Sequence, residues 1–265
     1  MKGPPVQLNS DISAIVTGGT SGLGEATARA LASAGVKVTL LGRDDARGRR
    51  IAGEIGGLFV GADLTREAEV EAAFQTARAA QGQERILVNC AGTSFPTKIA
   101  WRDRHTGAVA RHPSAAFDFL WQANVSTAFQ CTAISAAGMI ELPDDGTQER
   151  GVIVNTASIA AEDGQAGQSA YAAAKAAVAG MTLPLARDLA PHAIRVNCIL
   201  PGLFDTPLMR LSPEPVREKL VELTPHPKRL GQSDEFAGLV LEVCRNTYMN
   251  GANLRLDAGM RMPPR

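Results

Sequence analysis

The amino-acid sequence predicts an α/β fold, a doubly wound parallel sheet in a single domain. Short runs of Val, Ile and Leu alternate with longer Ala-rich stretches, and a glycine-rich segment joins the first run to the first stretch. Continuous apolar strands, each followed by a helix, are typical of a parallel sheet that helices cover on both faces. The chain of 265 residues suits one large domain, so residues 1–265 are expected to form it.

The apolar runs and the stretches between them predict the elements in order. Strands are expected at residues 13–17, 36–41, 58–60, 86–89, 152–155 and 194–200, and helices at 22–34, 67–80, 115–137 and 170–189. Right-handed crossovers between such strands produce the Rossmann arrangement. Two irregular segments near 93–113 and 203–231 follow strand ends, where open α/β sheets bind ligands. We therefore expect both segments to form substrate loops.

Composition excludes several classes of function. The 27 Lys and Arg residues balance the 27 Asp and Glu residues, which argues against nucleic acid or a membrane surface as the main partner. The four cysteines, which lie far apart and without metal-ligand spacing, predict neither a disulfide framework nor a metal site. Met1–Ser10 lacks the pattern of a signal peptide, and no apolar run is long enough to span a bilayer. A cytoplasmic protein is expected.

The glycine-rich turn Thr17–Gly24 links the first strand to the first helix. Gly18 permits a tight turn, Gly22 lets the backbone approach a pyrophosphate, and Gly24 allows close packing of the helix on the sheet. The spacing is G-x-x-x-G-x-G rather than the common G-x-G-x-x-G. By itself this turn indicates a dinucleotide site, with a purely structural turn as the alternative.

The end of the second strand bears on which cofactor is bound. An acid that binds the adenosine ribose is expected there, but the strand ends with Gly42 followed by Arg43. A guanidinium can hold a 2′-phosphate with two hydrogen bonds, so NADP is favoured over NAD. The alternatives are that Arg43 is simply a solvated surface arginine, or that it pairs with the nearby Asp44 or Asp45.

Three residues form a catalytic pattern. Tyr171 and Lys175 are four residues apart, so on a helix they share one face, and Ser158 lies just past a predicted strand. A phenol normally titrates near pH 10, and a nearby ammonium together with an oxidised nicotinamide is expected to lower its pKa. Tyr171 would then exchange a proton with the reacting oxygen, to which Ser158 would donate a hydrogen bond.

These motifs, in this order, resemble those of the short-chain dehydrogenase/reductase family over essentially the whole chain. The resemblance implies that Asn124 interrupts a helix to hold a water of the proton relay and that Lys175 also binds the nicotinamide ribose. It departs at Cys90, where the family more often has Asn. Altogether, cofactor contacts are expected at Gly18, Thr20, Ser21, Gly22, Leu23, Gly24, Arg43, Asp63, Leu64, Asn89, Ala91, Gly92, Tyr171, Lys175, Pro201, Gly202, Leu203 and Thr206.

The second half of the chain is similar in particular to the 3-hydroxyacyl-CoA dehydrogenase type II subgroup. The similar segments are Gly151–Ser158, Gly164–Gln168, Gly180–Pro191, Pro201–Pro207 and Arg255–Asp257. The similarity implies a 3-hydroxyacyl-CoA or related hydroxy substrate, substrate contacts at Ser158, Gln165 and Tyr171, and a homotetramer. The subgroup carries Asp at the position of Gly42 and uses NAD. The alternatives are an NADPH-dependent 3-oxoacyl or general carbonyl reductase, and a dinucleotide-sensing binding protein without turnover.

Overall fold

A parallel sheet forms the centre of the fold in the computed structural model, which describes residues 6, 8–143 and 149–264. Most of the N-terminal segment considered above for a signal peptide, residues 1–5 and 7, lies outside them. The strands of the described residues are β1 (Ser13–Thr17), β2 (Lys37–Gly42), β3 (Leu58–Gly61), β4 (Ile86–Asn89), β5 (Ala100–Arg102), β6 (Val109–Arg111), β7 (Gly151–Thr156), β8 (Ile194–Pro201) and β9 (Asn253–Leu256).

Seven of these strands within the described residues form one sheet in the order β3-β2-β1-β4-β7-β8-β9. All neighbours in it run parallel. The chain proceeds outward from β1 to β3 and then crosses back to β4, so the direction of winding reverses between β1 and β4. This reversal opens a crevice at the carboxyl ends of the strands, where ligands bind in such sheets. The predicted doubly wound, Rossmann-like fold is confirmed.

Helices cover both faces of the sheet. In the described residues they are α1 (Gly22–Ser33), α2 (Asp45–Ile55), α3 (Glu67–Gln81), α4 (Ser114–Trp121), α5 (Thr127–Ile140), α6 (Ala160–Asp163), α7 (Ser169–Leu189), α8 (Glu214–Glu222) and α9 (Ser233–Arg245). Ala14 and Val16 of β1 pack with α1, α2 and α9, whereas Ile15 packs with α3, α5 and α7. This alternation follows from the two-residue period of a strand, and it places one apolar core on each face.

The structure differs from the sequence prediction in the helix expected over residues 115–137. It is divided into α4 and α5 by a π-helical turn, Gln122–Ser126. Such single wide turns occur mostly at functional sites. The side chain of Asn124 lies in this turn and donates hydrogen bonds to the carbonyl oxygens of Leu120 and Thr93. The π-helical turn therefore occurs together with a contact to Thr93, which is distant in the sequence.

The two segments predicted to be irregular contain regular structure. Residues 93–113 include the antiparallel hairpin β5–β6, which carries Trp101, and residues 203–231 include a 3-10 turn at Met209–Leu211 and α8. Beyond them, α2, α6, α9 and β9 were not predicted. None of the helices in the described part of the chain is both long and apolar enough to cross a membrane.

Candidate active site

A cavity of about 510 Å³ opens at the carboxyl ends of the central strands. It is bounded by the glycine-rich turn, the end of β2, the turn after β3, the segment after β4 and the start of the loop after β8. Many of the residues predicted to contact a cofactor line it, namely Gly18, Thr20, Ser21, Gly22, Leu23, Gly24, Arg43, Asp63, Leu64, Ala91, Gly92 and Thr206.

The backbone of the glycine-rich turn leaves no room for a side chain at Gly18 or Gly24, and Gly22 has an unusual φ angle. Gly18 and Gly22 have positive φ angles of 64° and 53°, which L-residues with a Cβ rarely adopt. A Cβ atom at Gly24 would lie 2.2 Å from the carbonyl oxygen of Gly18. A Cβ atom at Gly18 would in turn lie 2.8 Å from the backbone nitrogen of Ala91. The close approach of these backbone segments therefore requires glycine, as the sequence predicted.

The end of β2 presents a cation to the cavity. Arg43 is exposed and lines it, together with Arg47 of α2. Asp44 accepts a hydrogen bond from the backbone of Arg47, and Asp45 pairs with Arg49 at 2.7 Å. Within the described residues no carboxylate lies within 4.0 Å of Arg43, so the alternative in which Asp44 or Asp45 pairs with it is not what the structure has.

The turn after β3 is held by the carboxylate of Asp63. It accepts hydrogen bonds from the hydroxyl and the backbone nitrogen of Thr65, at 2.8 and 3.1 Å. These bonds hold the pKa of Asp63 below its usual value, and the charges of Arg43 and Arg66 contribute less. A charged Asp63 therefore stays beside the cavity at neutral pH, next to Leu64.

Asn89 lies behind the cavity wall and is 3% exposed. Its amide nitrogen donates to Oδ1 of Asn155 at 2.9 Å, and its oxygen accepts a hydrogen bond from the hydroxyl of Thr17 at 3.3 Å. Asn89 thus links β4 to β7 and β1. Cys90, beside it, lines the cavity instead. Burial raises the pKa of the Cys90 thiol to about 11, so this thiol is neutral at physiological pH.

Ser158, Tyr171 and Lys175 come together where β7 ends. Tyr171 and Lys175 lie on one face of α7, with the Lys175 ammonium 5.9 Å from the centre of the phenol ring. The Ser158 hydroxyl lies close enough to the Tyr171 hydroxyl to lower its pKa. The ammonium donates a hydrogen bond to the carbonyl oxygen of Thr156 at 3.0 Å, which holds Lys175 against the end of the strand that leads to Ser158.

The side chains alone do not lower the pKa of the phenol as the sequence analysis expected. Burial raises the pKa of Tyr171, and the neighbouring Ser158 hydroxyl acts in the opposite direction. Burial also lowers the pKa of Lys175 to about 8, although the nearby sulfur atoms of Cys198 and Cys90 oppose this. The burial that orders these groups therefore disfavours both the phenolate and the ammonium.

Asn124 completes this group through Gly92. Its amide oxygen accepts a hydrogen bond from the backbone nitrogen of Thr93 at 3.3 Å. A Cβ atom at Gly92 would lie 2.6 Å from that oxygen and 3.3 Å from the Lys175 nitrogen. The missing side chain at Gly92 thus lets Asn124 and Lys175 approach the same point beside the cavity.

Other predicted residues lie outside the large cavity. The carbonyl oxygen of Pro201 accepts a hydrogen bond from Ile159, and Gly202 packs against Asp257. Leu203 lines a separate cavity of about 160 Å³. Gln165, predicted to contact substrate, donates its side-chain amide to the carbonyl oxygen of Pro263 at 3.1 Å. This contact with the C-terminal segment was not foreseen.

Several residues of the cavity wall were not predicted from the sequence. They are Gly42, Asp44, Arg47, Ala62, Thr65, Cys90, Thr93, Phe119, Ala123, Thr127, Pro207 and Leu208. Arg47 lies in the first turn of α2, close in the chain to Arg43. Using that closeness as a signal depends on predicting α2. Phe119 and Ala123 enter the wall through α4 and the π-helical turn, whose geometry depends on tertiary contacts.

Comparisons with known proteins agree with this geometry. A family profile described as short chain dehydrogenase matches residues 13–216. The 3-hydroxyacyl-CoA dehydrogenase type-2 of Drosophila melanogaster is 44% identical over 254 residues, which cover 94% of this chain and 97% of that protein.

Solved structures extend the comparison. The crystal structure of 3-hydroxyacyl-CoA dehydrogenase type-2 from Mycobacterium avium is 37% identical, with a TM-score of 0.91 over 98% of this chain and 100% of that one. A 7α-hydroxysteroid dehydrogenase complexed with NADH and 7-oxo glycochenodeoxycholic acid is 28% identical, with a TM-score of 0.85 over 98% of each chain.

The buried ammonium of Lys175 is expected to make the free energy of unfolding depend on pH. The pKa of Lys175 is lowered from 10.5 to about 8, so the unfolded chain holds this proton to a higher pH than the folded protein does. The cost of burying the charge is therefore full below pH 8 and vanishes as the pH rises to 10.5. Lys175→Met removes this cost at every pH. We expect the free energy of unfolding of the wild type, relative to Lys175→Met, to increase across that interval.

Denaturant titrations of both proteins without added cofactor measure this difference. Lys37→Met serves as the control, because Lys37 is exposed at the start of β2. The control should show no comparable trend. A difference between wild type and Lys175→Met that stays constant from pH 8 to 10.5 would contradict the burial of a charged lysine.

Proposed function

The chain belongs to the short chain dehydrogenase family, and from that premise we propose the reaction that its site performs. As a family member it is an NAD(P)-dependent oxidoreductase. We propose that it transfers a hydride between the cofactor and the carbinol carbon of a secondary alcohol or ketone. The observation that carries the proposal is the meeting of Ser158, Tyr171 and Lys175 beside a glycine-lined cavity.

The residues of the cavity fit a dinucleotide. Gly18, Gly22 and Gly24 leave backbone rather than side chains at the start of α1, where N–H groups of a helix end favour a pyrophosphate. The nicotinamide, when bound, would supply or accept the hydride. We assign its contacts to Gly92, Lys175 and Thr206, and the adenosine contacts to Arg43, Asp63 and Leu64. Pro201, Gly202 and Leu203 would shape the cavity from behind Thr206.

The chemical roles follow from the groups present. The Tyr171 hydroxyl exchanges a proton with the oxygen of the substrate, because it is the titratable hydroxyl beside Ser158. Ser158 donates a hydrogen bond to the same oxygen and fixes its position. Lys175 holds a positive charge near the phenol, and a charge of that sign favours the phenolate. Asn124, across the gap left by Gly92, can hold a water that renews the proton of Lys175.

NADP is the cofactor that we propose. Gly42 supplies no carboxylate to the adenosine ribose, and Arg43 faces the cavity without a partner among the described acidic residues. One charge-assisted hydrogen bond contributes about 1.5–3 kcal/mol. Since about 1.4 kcal/mol corresponds to tenfold in affinity, we expect a preference of roughly ten- to a hundredfold. The NADH in the related hydroxysteroid dehydrogenase structure makes NAD the competing candidate.

The substrate class rests on the named relatives. We propose a 3-hydroxyacyl-CoA or related hydroxy compound as the substrate, since the relative that is 44% identical is named 3-hydroxyacyl-CoA dehydrogenase type-2. The end of β2 favours a second candidate, an NADPH-dependent 3-oxoacyl or general carbonyl reductase. Initial rates with acetoacetyl-CoA and with simple ketones and steroids, each with both cofactors, separate the two. Binding of cofactor without any turnover would instead indicate a dinucleotide sensor.

A homotetramer is our proposal for the assembly. Helices α4, α5 and α7 expose large apolar side chains, among them Phe117 and Trp121, which stack with ring centres 6.2 Å apart. Phe129 is 52% exposed and Leu183 44% exposed on the same group of helices. Exposed apolar side chains concentrated in this way favour contact with another protein surface. The cytoplasmic location expected from the sequence stays a prediction.

Tyr171→Phe is expected to abolish nearly all turnover and to leave cofactor binding largely intact, because the substitution removes only the proton-transferring hydroxyl. Steady-state rates and cofactor titration by fluorescence measure the two effects. Tyr248→Phe is the matched control, since Tyr248 is the other tyrosine of the chain and is 98% exposed. A Tyr171→Phe enzyme with the kcat of wild type would rule out this role.

Gly42→Asp is expected to move the preference from NADP toward NAD. The new carboxylate can accept hydrogen bonds from the ribose and repels a 2′-phosphate. A Cβ atom here would lie 3.1 Å from Cγ2 of Thr20, so that methyl must shift slightly. Gly42→Ala controls for this crowding without adding charge. The preference is measured as kcat/KM for both cofactors, and a wild type that already prefers NAD contradicts the assignment of Arg43.

Sedimentation equilibrium is expected to show a tetramer for the wild type at micromolar concentration. Phe129→Asp should weaken the assembly, because it places a charge among the apolar side chains that we assign to the contact. Tyr248→Asp, at an exposed tyrosine that belongs to none of these helices, is the control. A monomeric wild type would refute the assignment of this surface.

A further inference from the structure

Arg255 of β9 is the centre of a cluster of ion pairs. Its guanidinium contacts Glu162, lies 3.2 Å from Asp163 and donates a hydrogen bond from Nε to Asp257 at 2.8 Å. It also donates to the carbonyl oxygen of Met260 at 3.1 Å. Its side chain is 16% exposed, whereas that of Arg229, which forms a bidentate ion pair with Glu235, is 46% exposed. Arg255 is thus the more shielded cation, and all three of its nitrogens are used.

The first two acids belong to the segment that follows Ser158. Glu162 and Asp163 end the short helix α6, whose first residue, Ala160, donates its backbone N–H to the Ser158 hydroxyl at 3.1 Å. The orientation of α6 therefore influences where the Ser158 oxygen lies. Arg255 holds the far end of α6, four residues beyond Ser158.

The same cluster holds the C-terminal segment, Met260–Pro264. Asp163 accepts a hydrogen bond from the backbone of Met262 at 3.1 Å. The Gln165 amide then donates to the carbonyl oxygen of Pro263, and the Ala166 backbone donates to that of Pro264 at 3.0 Å. These bonds place the C-terminal segment alongside the loop that joins Ser158 to Tyr171.

This loop also meets the hairpin segment on its other side. The backbone of Thr97 donates a hydrogen bond to the carbonyl oxygen of Gly167 at 2.8 Å. A continuous series of contacts therefore runs from Arg255 through α6 and the loop to residues 93–113. The series passes Ser158, which we assign to the reaction, and it ends at a proposed substrate loop.

We propose that Arg255 is a positioning residue for Ser158 and for the loop that carries Gln165. It acts by fixing α6 against the C-terminal segment, which thereby becomes part of the support of the substrate site. This inference rests on the proposed function. The partly buried guanidinium is suited to the role, because its planar set of donors binds three acids in fixed directions. Removing it leaves two acids of α6 without their shared cation, so α6 is expected to shift.

Arg255→Met, which keeps much of the length of the side chain, tests the proposal. The KM for the carbonyl substrate is expected to rise roughly tenfold, the change that about 1.4 kcal/mol produces. The dissociation constant of the cofactor should stay at the wild-type value, because Arg255 does not line the large cavity. Arg255→Lys keeps the charge but loses the planar guanidinium, so its KM should lie between those of wild type and Arg255→Met.

Arg78→Met is the matched control. Arg78 of α3 forms a bidentate ion pair with Glu84 at 2.8 and 3.0 Å, and its side chain is 25% exposed. Its other bond goes to the carbonyl oxygen of Ile134, and it lines neither cavity. Its removal should leave KM unchanged. If Arg78→Met raises KM as much as Arg255→Met does, the effect reflects general loss of stability and the proposal is wrong.

Hydrogen exchange supplies a measurement that needs no substrate. Backbone amides of residues 159–168 are expected to exchange faster in Arg255→Met than in wild type, while those of β1 keep their protection. Unchanged exchange in that segment together with an unchanged KM would overturn the inference. A wild type that turns over no carbonyl compound would overturn the proposed function, and the exchange result would still decide the role of Arg255.

Discussion

The buried amide of Asn89 is the interaction on which the rest of the site depends. It joins the ends of three neighbouring strands, through Thr17 of β1 and Asn155 of β7. Hydrogen bonds in such an apolar interior are strong, and leaving one unmade is costly. Each strand continues directly into one part of the site: the glycine-rich turn, Cys90–Gly92, or Ser158. The relative positions of the cofactor loop and the reacting groups therefore depend on one side chain that is buried behind the cavity wall.

The central fold could be predicted because its signals are local. The buried strands of the main sheet, such as β1 and β8, are covered on both faces and are therefore rich in consecutive apolar residues, which the sequence shows directly. Helix α2 was missed because it is polar and contains Gly48 and Gly53, both poor helix formers. Gly48 is required there by the Phe59 ring, which a Cβ would approach to 2.2 Å. That constraint is tertiary and cannot be seen in the sequence.

In the site, too, the features that depend on neighbouring residues could be predicted, and those that depend on distant contacts could not. The glycine-rich turn and the spacing of Tyr171 and Lys175 are local patterns. The glycines line the cavity, and Tyr171 and Lys175 share one face of α7. The bond of Gln165 to Pro263 joins residues far apart in the chain, so no spacing could indicate it. The raised pKa of Tyr171 likewise follows from burial, which only the assembled fold determines.

The placement of the two tryptophans has an optical consequence. They are the only tryptophans in the chain, and neither lies in the two cores that enclose the sheet. Trp101 lies in the hairpin over the strand ends, and Trp121 ends α4 with 39% of its surface exposed. Intrinsic fluorescence of this protein therefore reports on its periphery. Replacing either indole would leave a single emitting group, one on the hairpin and one on the apolar helix face.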